Sequence, residues 1–152
     1  MHSHSATVKW QRGGAVFTDH RYSRAHTWGF DGGQEVLASS SPLVVREPLS
    51  DPRGIDPEEA FIAALSSCHM LFFLDFASRA GFTIDSYVDH AVGTMGKDED
   101  GKIYMASVEL RPAVQFSGDK RPDAEQIAEL HHRSHDVCFI ARSVTTKVTV
   151  AH

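Results

Sequence analysis

The sequence predicts an α+β fold in a single domain of 152 residues. Segments in which apolar residues recur at every second position lie at both ends of the chain and between two helical segments. A long apolar run at residues 61–77 predicts a central helix, and an amphipathic run at residues 123–137 predicts a second one. We therefore expect the order strand, central helix, strand, second helix, strand in one domain, 1–152, with residues 1–5 disordered.

Composition restricts the function classes. Hydrophobic residues make up 41% of the chain and charged residues 23%, as in soluble globular proteins. The net charge of −5 and the lack of a basic segment argue against a nucleic-acid partner. Polar and charged residues such as Ser66 and Asp75 interrupt the apolar run, which predicts a buried helix and no membrane partner. The polar N-terminus and only two cysteines predict a cytoplasmic protein, in which a disulfide would be transient.

The N-terminal third is predicted to be β-structure followed by a long connection. Residues 6–12 alternate apolar and polar side chains, and residues 15–19 are the expected hairpin partner. The Asp-Gly-Gly at residues 31–33 predicts a tight turn. Residues 39–54 are rich in turn formers and have no clear period, so they predict an irregular connection of a length that often serves function.

The central helix has recognisable ends. Asp56 suits the N-cap, Pro57 suits the first helical position, and the two glutamates that follow suit the positive end of the helix dipole. Apolar residues cover nearly every face over residues 61–77, which predicts a helix enclosed on most sides. Gly81 is the expected stop.

The second half is predicted to return to strands. Residues 83–94 have apolar residues on an even register, and residues 97–102 form a charged hairpin turn. Residues 108–116 predict a half-buried strand, in which Pro112 indicates an edge position or a bulge. The remaining elements are a second helix at 123–137 and a last strand at 144–150.

Two cysteines, Cys68 and Cys138, stand seventy positions apart. Cys68 lies inside the apolar helix, where burial disfavours a thiolate, so its reactivity would require a cation from elsewhere in the fold. The polar run from Ser66 to His69 in this apolar helix indicates a pocket wall. The two cysteines are either a redox pair that the fold brings together or two packed small hydrophobic residues.

Glu58 stands ten residues before Cys68, which is about 15 Å along a straight helix. It cannot reach the sulfur directly, so it would act through an arginine that spans the gap or on a cysteine of a second subunit. The simpler interpretation is a residue that stabilises the helix dipole.

A histidine-rich face precedes the second cysteine. His131, His135 and Cys138 recur at i, i+4 and i+7 on one face of the second helix, a spacing that could contribute three metal ligands. A fourth ligand is not evident in the sequence, and histidines on the exposed edge of a helix are the more common explanation.

The run PEEAFIAALSSCHM at residues 57–70 and the run HDVC at residues 135–138 resemble the OsmC/Ohr family, which comprises osmotically inducible protein C and the organic hydroperoxide resistance proteins. The Pro-Glu start, the ten-residue step from Glu58 to Cys68 and the second cysteine about seventy residues later match the family pattern. The sequence departs from it at Phe139, where many relatives carry proline.

The resemblance implies an OsmC-like fold, with antiparallel sheets packed around a long buried central helix in an intertwined homodimer. It implies a peroxidase that reduces organic hydroperoxides without a cofactor. Cys68 would be the peroxidatic thiol that becomes a sulfenic acid, and Cys138 would resolve it to a disulfide. An external dithiol, a lipoyl group in relatives, would then reduce the disulfide.

The resemblance also implies a catalytic arginine that Glu58 orients. Arg24 in the run YSRAH at residues 22–26 is the best local match, and Arg21 is the runner-up. A guanidinium beside the sulfur would favour the thiolate, and a lysine could not reproduce its planar geometry. The alternative function is an OsmC-fold protein without peroxidase activity, which binds a small apolar ligand or holds a metal at the face of His131, His135 and Cys138.

Overall fold

The computed structural model describes residues 1–151, which form two compact units, Met1–Ala60 and the chain from Phe61 onward. The described elements confirm the α+β class, with two helices and three small sheets. The strands are β1 Ala6–Lys9, β2 His26–Phe30, β3 Glu35–Ala38, β4 Thr83–Asp89, β5 Val92–Lys97, β6 Ile103–Leu110, β7 Pro112–Ser117 and β8 Lys147–Val150. The helices are α1 Pro57–Arg79 and α2 Ala124–Val137, and a single turn of 3₁₀ helix spans Ala141–Ser143.

The first unit contains an antiparallel sheet in the order β1-β2-β3. The turn predicted at residues 31–33 is confirmed, because Gly33 has φ of +85° and its N–H donates to the carbonyl of Phe30. The predicted hairpin partner at residues 15–19 is wrong, since β1 pairs with β2 instead. Residues 15–19 belong to a loop in which Phe17 stacks on Tyr22, and this aromatic packing holds them outside the ladder.

The predicted irregular connection at residues 39–54 is confirmed, and it is held by specific contacts. The hydroxyl of Ser39 accepts the N–H of Asp51 at 2.9 Å. Gly54 lies so close to the preceding strand that a Cβ at this position would stand 2.8 Å from the carbonyl carbon of Ala38. The connection is therefore packed backbone to backbone where it returns to α1.

Helix α1 begins and ends as the sequence predicts. The carboxylate of Asp56 accepts the N–H of Glu59, whose own carboxylate accepts the N–H of Asp56, and this reciprocal pair caps the helix. Gly81 has φ of +81° just beyond its end. By length and composition alone α1 could also span a membrane, a test that core helices of soluble proteins pass as well.

The prediction that α1 is enclosed on most sides is wrong for the single chain. Its buried residues form one stripe, Leu65, His69, Phe73 and Ala77. On the opposite face Leu71 is 60% exposed. The single chain therefore leaves apolar helix surface in contact with solvent.

Two strands predicted in the second unit are each divided in two. Residues 83–94 form β4 and β5, and residues 108–116 fall in β6 and β7, so those predictions are wrong. Asp89 lies at the break, where its carboxylate accepts the hydroxyl of Ser66 and the N–H of Arg111. These contacts fix the chain at both breaks and separate the strands into different sheets.

The resulting sheets are small. β4 pairs with β7 in a two-stranded sheet, so Pro112 at the start of β7 occupies an edge, as predicted. The other sheet has the order β5-β6-β8, and its β6–β8 pairing is parallel, unlike the antiparallel pairing expected. The predicted turn at residues 97–102 is confirmed, and β8 is shorter than the predicted 144–150.

The buried stripe of α1 supplies both core clusters of the second unit. Phe73 and Ala77 pack with Phe82 and Leu130, while Leu65 packs with the β6 residues Val108 and Leu110. Asp123 caps α2 together with the side chain of Gln126. This packing places the C-terminal end of α2, at Cys138, beside α1.

Candidate active site

Cys68 and Cys138 lie close together in the fold. Cys68 is on α1 and is partly exposed, whereas Cys138 is the C-cap of α2 and is only 2% exposed. Both are free thiols, and Cys68 lies close enough to Cys138 to raise the pKa of its thiol. Two cysteines seventy positions apart in the sequence therefore form one contact pair.

Cys138 is fixed by the backbone around it. Its N–H donates to the carbonyl of Ser134 at 3.0 Å, and its carbonyl accepts the N–H of Arg142 at 3.0 Å. Its sulfur accepts the N–H of Ala141 at 3.4 Å. The end of α2 and the turn that follows thus hold this sulfur at a defined position.

Burial, followed by the neighbouring Cys68, raises the pKa of the Cys138 thiol to about 11. The N–H groups of Ala141 and Ile140 act in the opposite direction, because they favour a thiolate. Burial prevails, so Cys138 is a neutral thiol at pH 7 in the reduced protein.

Aromatic and other apolar side chains lie next to the two cysteines. Phe139, the position at which the sequence departs from the family pattern, is 70% exposed. Its ring packs edge-on against Phe72 of α1, with 5.1 Å between ring centroids. Leu71 adds exposed apolar surface on α1 three residues after Cys68. The surroundings of the thiols are therefore suited to an apolar molecule.

Arg24 and Glu58 belong to the first unit, where both line one cavity of about 460 Å³. The guanidinium of Arg24 donates to the backbone carbonyls of His20 and Tyr22 and lies 3.8 Å above the Tyr22 ring. One carboxylate oxygen of Glu58 is buried without a hydrogen-bond partner. Arg21 is exposed and does not line this cavity.

The cavity wall also includes aromatic residues that the site prediction did not contain. Trp10, Phe17 and Tyr22 pack against one another, with ring centroids 4.7 to 5.8 Å apart. In the sequence these rings stand at irregular spacings of seven and five residues, so no periodic pattern links them. Only the folded loop brings them together.

The histidine-rich face of α2 matches neither the metal-site interpretation nor the exposed-edge interpretation. His131 is 5% exposed, and its Nδ1 lies 3.0 Å from Nε2 of the buried His69 on α1. Burial lowers the pKa of His69 to about 4, with His135 adding to the effect and Asp89 opposing it. Among residues 1–151, no three His, Cys, Asp or Glu side chains form a group that could hold a metal ion, so the metal alternative gains no geometric support.

The fold and the thiol pair define a class of α+β proteins that place two cysteines between a central helix and the end of a second helix. The model of the OsmC-like protein family matches residues 50–152, and the chain therefore belongs to that family. No curated protein matches the chain.

Solved structures agree with this assignment. An OsmC-like protein of unknown function from Vibrio cholerae is 53% identical, with a TM-score of 0.97 over 99% of both chains. An organic hydroperoxide resistance protein from Elizabethkingia anophelis is 19% identical, with a TM-score of 0.70 over 100% of this chain and 97% of that one. The organic hydroperoxide resistance protein OhrB of Bacillus subtilis is also 19% identical, with a TM-score of 0.66 over 98% and 96%. The last two similarities concern the fold.

Proposed function

We propose that this protein is a thiol-dependent peroxidase that reduces organic hydroperoxides. The proximity of the thiols of Cys68 and Cys138 carries the proposal, because a sulfenic acid formed on one sulfur would have a resolving thiol beside it. Membership of the OsmC-like family supports it, as does the fold shared with proteins named for organic hydroperoxide resistance.

The proposed cycle begins at Cys68, the more exposed thiol. Its thiolate attacks the terminal oxygen of the hydroperoxide, the O–O bond breaks, and the alkoxide leaves as an alcohol after taking up a proton. Cys68 is then a sulfenic acid. The Cys138 sulfur attacks it, water leaves, and a Cys68–Cys138 disulfide remains for an external dithiol, such as a lipoyl group on a protein partner, to reduce.

Arg24 and Glu58 have proposed roles in the first step. A guanidinium would favour the thiolate by charge and would stabilise the developing alkoxide. The shared cavity supports Arg24 over Arg21, since Arg24 and Glu58 both line it. The buried carboxylate oxygen of Glu58, which has no hydrogen-bond partner, is suited to orienting a guanidinium fork.

A homodimer is part of the proposal. Exposed apolar residues beside the thiols, Leu71 and Phe139, support a second copy as the cover of this surface. We further propose a cytoplasmic protein with neither a nucleic-acid nor a membrane partner.

The direct test follows cumene hydroperoxide consumption with a dithiol as reductant. Cys68→Ser should abolish turnover, whereas Cys138→Ser should support one fast equivalent and then turn over poorly. A dimedone adduct should form on Cys68 of the Cys138→Ser variant after a stoichiometric peroxide pulse. An unchanged rate in Cys68→Ser would refute the proposal.

The cavity of the first unit favours a second candidate function, the binding of a small apolar ligand without peroxidase chemistry. Its volume of about 460 Å³ and its aromatic wall are typical of ligand pockets. Titration with anilinonaphthalene sulfonate, monitored by fluorescence, would test this function, with Phe17→Ser as the variant expected to bind more weakly. Saturable binding without sulfenic acid formation at Cys68 would favour this candidate over the peroxidase.

A further inference from the structure

The two sulfurs of the thiol pair differ in access. Cys68 is partly exposed, as the target of a hydroperoxide must be, whereas Cys138 is 2% exposed. A thiol–disulfide exchange requires the incoming sulfur to approach one sulfur of the disulfide directly, so access selects between them. The exposed position favours attack at Cys68.

The two sulfurs also differ in the groups that could receive a thiolate. The sulfur of Cys138 already accepts the N–H of Ala141 at 3.4 Å. Cys68 lies in the middle of α1, where backbone N–H groups are engaged in the helical ladder. A backbone donor for a negatively charged sulfur is therefore found at Cys138.

We propose that the external reductant attacks the Cys68–Cys138 disulfide at the sulfur of Cys68, and that Cys138 leaves as the thiolate held by the N–H of Ala141. This inference rests on the proposed function for its place in a catalytic cycle. It assigns a direction to the reduction and makes the turn after α2 a binding site for the leaving sulfur.

The raised pKa of Cys138 belongs only in part to the reduced pair, because burial, its largest cause, remains throughout the exchange. Two of its causes are the hydrogen bond with Cys68 and the charge of Cys68. Once the reductant is bonded to Cys68, that sulfur is neither a thiol nor a thiolate, and both causes vanish. The N–H of Ala141 remains, so the loss of the Cys68 contributions makes Cys138 a better leaving group than it is in the resting protein, although burial still opposes the charge.

The dithiol reduces the protein disulfide in two thiol–disulfide exchange steps. A thiolate of the dithiol forms a bond to the Cys68 sulfur while the S–S bond breaks, and its electron pair goes to Cys138. The second thiolate of the dithiol then attacks its own partner sulfur, which releases Cys68 as a thiolate and closes the dithiol to a disulfide. Two electrons pass from the dithiol to the protein, and the proton of each attacking thiol restores a cysteine thiol.

The first experiment maps the attack on the wild-type protein. Diamide generates the intramolecular disulfide without peroxide, and limiting 2-mercaptoethanol is added for seconds before an acid quench. Alkylation with N-ethylmaleimide in denaturant at low pH and peptide mass mapping then locate each group. We expect mercaptoethanol on Cys68 and maleimide on Cys138, in about tenfold excess over the reverse pattern. An even distribution or an excess of mercaptoethanol on Cys138 would overturn the inference.

The second experiment compares matched single-cysteine variants, each checked for folding by far-UV circular dichroism. The remaining thiol is titrated with dithiodipyridine under native conditions. Cys68 in the Cys138→Ser variant should react about ten times faster than Cys138 in the Cys68→Ser variant. Equal or reversed rates would remove the difference in access on which the proposal depends.

The outcomes separate this inference from the proposed function. The disulfide is made chemically, so its regiochemistry is measured whether or not the protein consumes hydroperoxides. Mercaptoethanol on Cys138 in an active peroxidase would overturn the inference alone. Peroxide consumption that survives in Cys68→Ser would overturn the proposed function, while the mapping would still support or overturn the direction of exchange.

Discussion

His69, the residue after Cys68, is an imidazole that the fold keeps away from water. It is 1% exposed, and its Nε2 lies 3.0 Å from Nδ1 of His131 on α2, whose ring stacks on Phe73. One imidazole of such a pair donates and the other accepts, so the contact requires a neutral partner. The pair therefore joins the two helices that carry the thiols through a hydrogen bond that acid would break.

The burial of His69 predicts a loss of stability in acid. Its pKa is lowered from 6.5 to about 4 in the folded protein, so between these values the unfolded chain binds a proton that the folded chain does not. The stabilisation is complete above the unfolded pKa and is lost as pH falls through about 4, by roughly 3 kcal/mol at most. Urea unfolding at pH 7 and pH 4.5 should show this decrease, and His69→Gln should reduce it.

The matched control is His132→Gln, because His132 lies on α2 next to His131 and its side chain is 70% exposed. This variant should keep the acid sensitivity of the wild type. Equal pH dependence in His69→Gln and the wild type would contradict the assignment to His69.

Arg24 and Arg21 are the two candidates for the proposed catalytic arginine. Arg24 lines the cavity that also contains Glu58, while Arg21 is exposed. Arg24→Lys keeps the positive charge but loses the planar fork, so we expect kcat/KM for cumene hydroperoxide to fall about a hundredfold. Arg21→Lys is the matched control and should remain within about twofold of the wild type. The reverse ranking would transfer the proposed role to Arg21.

At the scale of elements, the connection before α1 is held by close backbone packing at Gly54. A Cβ there would stand 2.8 Å from the carbonyl carbon of Ala38 and 2.9 Å from the N of Ser39, and backbone atoms cannot move aside easily. Gly54→Ala should therefore destabilise the protein by roughly 1–3 kcal/mol in urea unfolding. Gly14→Ala, where nothing lies within 4 Å, is the control and should be neutral or slightly stabilising. Equal effects would contradict the packing argument.

The predictable elements are those whose signals are local. Both helices carry their own caps, at Asp56 and Asp123, and both were predicted close to their observed starts. Residues 83–94 looked like one strand because the apolar register continues through the break, whereas the break depends on Asp89 and its contacts with distant residues. Sheet partners are chosen by such long-range contacts, which an apolar period does not encode.

In the candidate site, too, the sequence predicts what residue type and spacing encode and does not predict what depends on the folded backbone. Residue type and spacing single out Cys68 and Cys138, and the fold brings the two thiols close enough for Cys68 to raise the pKa of Cys138. The hydrogen bond from the N–H of Ala141 to Cys138 could not be predicted, because every residue except proline carries an N–H and only the turn determines where it points. His131 was expected on an exposed edge, yet the rotation of α2 turns it toward α1.

At the scale of the whole molecule, the single chain leaves apolar surface uncovered beside its thiols. Leu71 is 60% exposed and Phe139 is 70% exposed. Covering one leucine stabilises an interface by about 1.5–3 kcal/mol, and a two-fold axis counts each contact twice. A homodimer that covers this surface would complete the enclosure of α1 that the sequence predicts.

The proposed dimer predicts the effect of a charge at Leu71. Leu71→Glu would place a carboxylate in the interface twice, and the penalty for burying an unpaired charge exceeds the lost apolar contact. We expect a dimer for the wild type and a monomer for the variant in sedimentation velocity at micromolar concentration. Gln115→Glu adds the same charge at an exposed polar position of β7 and should remain dimeric. A monomeric wild type, or dissociation of both variants, would show that this face of α1 is not the interface.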